Sequence, residues 1–192
     1  MRHVVRIDTE PLQAAIGWLR RGDAVPVEAG LGAAWQARAA GWRDDPAVDS
    51  ACCLSTSSLL GGSPIEAMLD RLETLGRLTQ DRLATARLVL VEALANAVLH
   101  GNLEDRAPRD GTAQHHARGV GLCARRDGEA MAFSIVQEGP GLAGLAARLS
   151  AAGSRGDTAD PLEPGGLGLF LIARLSARWA VDEDGRRLTI WL

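Results

Sequence analysis

The chain contains no lysine; all 21 of its basic residues are arginine. A P-loop needs a lysine to reach the nucleotide phosphates, and a Schiff-base enzyme needs one as its nucleophile, so both classes are excluded. Positive charge is not in excess. The formal net charge is −3, which leaves no global basic field to attract nucleic acid. No run of eighteen or more apolar residues marks a membrane span, and the opening "MRHVVRIDTE" is too polar for a secretory signal. Cysteine is scarce. Cys52, Cys53 and Cys123 are odd in number and two are adjacent, which fits a reduced cytoplasmic chain with its thiols as small core hydrophobes. No internal repeat or low-complexity array is visible.

What remains is an ordinary globular composition. With 192 residues, 46% hydrophobic and 23% charged, the chain can hold one domain plus an appendage. Residues 1–50 read as that appendage, a small N-terminal α/β extension. "HVVRID" suggests a strand, "EPLQAAIGWLRRG" a helix ended by Gly22, "DAVPVEAG" a second strand, and "LGAAWQARAAGW" a helix ended by Gly41. The alternation resembles the later part of a receiver-type domain but is too short for a good core of its own. A lid or docking extension is the expected role. Trp18, Trp35 and Trp42 would form its small core or pack it against the main domain.

After the polar break "WRDDPAVDS", residues 51–192 read as the main domain. "ACCLSTSSLL" suggests a strand. Ser63, Pro64 and Glu66 form a capping-box start for the next helix, and a long helix is expected from about Thr79 to His100. A loop rich in glycine and charge follows, to about Arg118. "RGVGLCARRDGEAMAFSIVQ" suggests a hairpin turning at Asp127-Gly128, with Phe133 and Ile135 pointing inward. "EGPG" breaks the second strand, "GGLGLFLIARLSARW" opens a last helix, and "WAVDEDGRRLTIWL" closes as a hairpin. Helices with hairpin-joined strands predict a two-layer α/β (α+β) sandwich with a mixed, largely antiparallel sheet.

Within the long helix, "VEALANAVLHGN" is apolar on nearly every side yet carries Glu92, Asn96 and His100 at intervals of four. That spacing puts the three on one stripe. An unpaired buried glutamate would cost several kcal/mol, so the stripe must meet partners or line a polar cavity. Two readings stay open from this helix alone. One is a hydrogen-bonded cap for the following loop. The other is a metal and water site, in which an asparagine oxygen ligates Mg²⁺ and a carboxylate one turn away orients or deprotonates a hydroxyl. Downstream, "QEGPG" (Gln137 to Gly141) and "GGLGLF" (Gly165 to Phe170) are glycine turns that let backbone N–H groups approach an anion. His115-His116 lacks spaced ligands and reads as loop, and Arg125-Arg126 as a solvated face.

Together these elements resemble a family, the GHKL (Bergerat) ATP-binding fold of gyrase, histidine kinases and mismatch-repair ATPases. Within it the chain is most similar to the anti-sigma-factor serine/threonine kinases of bacterial stress and sporulation control. "EALANAVLHGN" is similar to the N box, "IVQEGPGL" to the G1 box and "GGLGLFLIARLS" to the G2 box, over roughly Ala51 to Leu192. The resemblance implies a sheet covered by helices on one face. It implies Glu92 as general base or water-orienting carboxylate and Asn96 as the Mg²⁺ ligand. It implies Gly139 and Gly141 beside the adenine, and Gly166, Gly168 and the Leu169 amide around the phosphates beneath a lid from Gly144 to Pro164. His100 and Gly101 match the pattern, either in the site or only as the end of the helix. ATP and Mg²⁺ are the implied cofactors. A sigma factor and an anti-sigma antagonist protein are the implied partners, with no direct nucleic acid and no membrane; a homodimer stays open.

One position departs from the family. The G1 box normally carries an aspartate that accepts a bond from the adenine amine; here Gln137 stands there. Glu138 comes one residue late and, on a strand, faces the other way. A neutral acceptor on a longer stem predicts weak or altered nucleotide binding. The function classes to separate are therefore an ATP-dependent kinase, a non-catalytic binding module, and a stand-alone histidine-kinase-type catalytic domain.

Overall fold

The strand from Val48 to Ser55 (β3) is buried along all eight residues. The computed structural model describes residues 3–7, 12–60, 64–103, 116–154 and 167–192, and this strand organises them. Alternate residues of a strand face opposite ways. Cys52 and Leu54 accordingly enter one apolar cluster, while Ala51 and Cys53 enter another on the far side of the sheet.

On one flank, β1 (His3–Ile7) and β2 (Ala24–Glu28) run parallel to β3. They are connected through α1 (Leu12–Arg21) and α2 (Ala33–Asp44). On the other flank come β4 (Gly119–Asp127), β5 (Ala130–Gln137), β7 (Arg187–Trp191) and β6 (Arg178–Val181), all antiparallel. The result is one seven-stranded mixed sheet in the order β1-β2-β3-β4-β5-β7-β6. The boundary drawn at residue 50 from the sequence falls inside β3, and the first two strands extend the same sheet.

The larger core lies between the sheet and α1, α4 (Pro64–Thr74), α5 (Gln80–Ala95), α6 (Leu145–Ser154) and α7 (Leu167–Leu175). Leu54, Leu69, Leu72, Phe133, Leu149, Ile172 and Ile190 are fully buried there, each such side chain stabilising by about 1.5–3 kcal/mol. The expected single helical layer describes this face. The other face has its own cover, because α2 lays Trp35, Ala39 and Trp42 over β2, β3 and β4. By length and composition Gln80–Asn102 could also cross a membrane; here its Leu83, Ala86, Val89, Leu90 and Ala93 pack into the core.

Several local expectations are corrected. Gly41 does not end α2, which continues to Asp44. The strand read through "ACCLSTSSLL" stops at Ser55, whose Oγ accepts from Ser58 N (3.3 Å) and caps a short helix, α3 (Thr56–Leu60). Ser63 lies outside the described residues, and Glu66 pairs with Arg87 (2.9 Å). The front of the expected lid is helical, as α6.

Candidate nucleotide site

Thr79 caps α5 as its side chain accepts from Arg82 N (3.4 Å). The helix keeps α geometry to Ala95, then widens into a π turn over Asn96–Asn102, with Leu103 N bonded to Val98 O at 2.9 Å. Wide turns of this kind recur at functional sites because they push residues out of helical register. The displaced residues are Gly101 and Asn102, both buried against the end of β5. A Cβ on Gly101 would overlap the Gln137 amide, and a Cβ on Gly139 would overlap the Gly101 carbonyl. Two glycines thus let the helix end and the turn after β5 touch backbone to backbone.

Asn102 locks that contact. It is fully buried. Its Oδ1 accepts from Gly139 N (2.8 Å), and its Nδ2 donates to Thr56 Oγ1 (2.8 Å) and Gly119 O (3.1 Å). Its own carbonyl accepts from Arg118 (2.6 Å). Nothing in the local sequence marks Asn102, because a polar residue after a helix-ending glycine looks like any cap.

Gln137 is 4% exposed. Its backbone N donates to Arg186 O (2.9 Å), and its Nε2 lies 3.4 Å from Gly185 O. Glu138 turns to the opposite face, as strand alternation requires. The pocket beside Gln137 opens to solvent and is lined by Asn96, Ala97, Ile135, Leu142 and Leu188 among others. Two polar atoms of its lining residues, Asn96 Nδ2 and Gln137 Oε1, are buried without a partner. Orphaned groups of this kind cost about 1–3 kcal/mol each, and a ligand with a matching donor and acceptor would remove the cost. Gly141 (φ +89°) has another neighbour, since a Cβ there would overlap Asp184 O.

At the other end of the stripe, half-buried Glu92 places its carboxylate where a Cβ on Gly168 would stand. Gly168 belongs to the first turn of α7, where free N–H groups favour an anion. Leu169 buries its side chain in the core, and His100 is half-buried on the π turn. Gly166 and His115, with the rear of the expected lid, lie outside the described residues. The structure therefore brings the three motifs to one region of the molecule, with Glu92 beside Gly168 and Asn96 and Gln137 on one cavity.

The histidine kinase-like ATPase domain family matches residues 63–192. The chain belongs to that family. Comparison with curated proteins finds no match.

As a histidine kinase-like ATPase domain, residues 63–192 have an ATP-binding role, and domains of this kind bind ATP with Mg²⁺. The residues present fit such a ligand. The cavity is mostly apolar and offers one unpaired amide donor and one unpaired amide acceptor. Among the described residues no group of three or more His, Cys, Asp and Glu side chains is arranged to hold a metal ion.

Proposed function

We propose that this ATPase domain is a regulatory kinase of the anti-sigma-factor type, which phosphorylates an antagonist protein on serine or threonine and sequesters a sigma factor. The observation that carries the reading is the stripe of α5, where Glu92 faces α7 and Asn96 faces the cavity. Bound Mg²⁺ would supply charge neutralisation at the phosphates. Asn96 Oδ1 would hold it, and Glu92 would orient the substrate hydroxyl and take its proton. The first turn of α7 would offer its free N–H groups to phosphate oxygens. The segment ahead of the family match is a strand–helix alternation, not a helical hairpin bearing a phosphoacceptor histidine. In this reading the protein acts in the cytoplasm, where its partners reside.

A second reading is a non-catalytic binding module. Gln137 favours it, because a neutral, buried side chain has replaced the carboxylate that binds adenine in the family it resembles.

The deciding experiment incubates the purified chain with labelled ATP, Mg²⁺ and a co-encoded small antagonist protein. The expected result is acid-stable phosphate on the antagonist. Glu92→Gln should bind nucleotide yet lose about 10²- to 10⁴-fold in turnover, the usual contribution of a positioned general base. Antagonist or sigma-factor binding without phosphate transfer would establish the binding module. Acid-labile phosphohistidine would establish the histidine-kinase alternative.

A further inference from the structure

Gln137 and Glu138 are neighbours with opposite fates. Strand alternation turns the first toward the cavity and the second toward the face covered by α2. Glu138 is exposed on its outer side, but its Oε2 accepts from Gly119 N (2.6 Å) and from Trp35 Nε1 (3.2 Å). The Trp35 ring is 6% exposed and lies flush on β4, where a Cβ at Gly119 or Gly121 would overlap it. Its indole N–H is therefore presented from a fixed position. On the other side, the amide of the next residue, Gly139, is held by Asn102. Gly119 joins the two grips, because its carbonyl accepts both Glu138 N (3.1 Å) and Asn102 Nδ2.

The turn carrying Gln137 and Gly139 is thus gripped from both faces of the sheet, and one grip comes from outside the ATPase match of residues 63–192. We propose that Trp35 is a positioning residue of the nucleotide site. Through Glu138 it sets the turn after β5, so the affinity for ATP depends on the N-terminal βαβα segment. This rests on the ATP-binding reading and adds to it a dependence on α2.

Trp35→Phe keeps a ring on Gly119 and Gly121 and removes only the N–H donor. Trp42→Phe is the control, since Trp42 also packs on Gly121 but has no bond to Glu138. Two measurements on the full chain decide the matter: calorimetric titration with Mg²⁺-ATP, and amide exchange over residues 137–142 without nucleotide. Trp35→Phe should weaken ATP about three- to tenfold, the effect of losing one such bond, and speed exchange in that segment. Trp42→Phe should do neither. Glu138→Ala should be affected at least as much, and the double variant Trp35→Phe/Glu138→Ala no more than Glu138→Ala alone. Unchanged exchange in Trp35→Phe, or equal acceleration in Trp42→Phe, overturns the proposal. A wild type that binds no ATP overturns the nucleotide reading and the effect on affinity with it, while the exchange comparison still reads whether Trp35 holds the turn.

Discussion

The amide of Gln137 lies where a side chain on Gly101 would have to stand. Glycine at the end of the helix and glutamine at the end of β5 are therefore a matched pair, 36 residues apart in the chain and in contact across the π turn.

Gly101→Ala should force that amide to move. Overpacking of this kind costs about 1–3 kcal/mol, read as a lower denaturation midpoint in urea. Adding Gln137→Ala removes the obstacle and should recover part of the loss. If the two changes simply add, the contact does not constrain either residue.

Asn96→Ala should not lower stability and should raise it by up to about 1–3 kcal/mol, because the side chain removed holds a buried donor without a partner. Mg²⁺-ATP affinity should fall. Calorimetry showing equal affinity in both proteins would remove Asn96 from the site.

Gln137→Asp exchanges a neutral acceptor for a charged one. A charge-assisted bond contributes about 1.5–3 kcal/mol and a neutral one nearer 1, so ATP should bind roughly five- to thirtyfold tighter. GTP, which has a carbonyl oxygen in place of the adenine 6-amino donor, should not gain at that position. A loss of ATP affinity would mean that the pocket is built around the glutamine and its neighbour Gly185 O.

The thiols give a prediction in pH. Cys52, Cys53 and Cys123 are all buried. Burial is the main cause that pushes the Cys52 thiol from its ordinary 9.0 to about 12, and it pushes Cys53 well above its usual value. Both stay protonated in the folded chain at pH 8, so a thiol reagent should leave them unmodified until denaturant is added. A raised thiol pKa means that the unfolded chain loses its proton first. The stability linked to Cys52 is complete below pH 9 and declines between 9 and about 12. Rapid native labelling at pH 8 would contradict this burial.

Much of this was legible locally. The apolar run from about Thr79 marked α5, Asp127-Gly128 marked the β4–β5 turn, and strand parity alone sent Glu138 away from Gln137. These features depend on residues within a few positions of one another. Gly41 was misread because its helical cost of about 1 kcal/mol is outweighed by Trp35 and Ala39 packing on the sheet. The end of β3 was misread because Ser55 is held by a residue far away in sequence: its N and Oγ both donate to the Glu28 carboxylate (2.7 and 2.9 Å).

The sequence by itself determined the family motifs, their order, and which faces of β5 and α5 carry polar groups, since those follow from strand and helix periodicity. Only the tertiary structure decided that α5 widens at Asn96, that Asn102 reaches Gly139, and that Trp35 bonds Glu138 across 103 residues. Each of these arises where separate elements meet and buried N–H and C=O groups must find partners. Local sequence carries no record of which distant partner will be there.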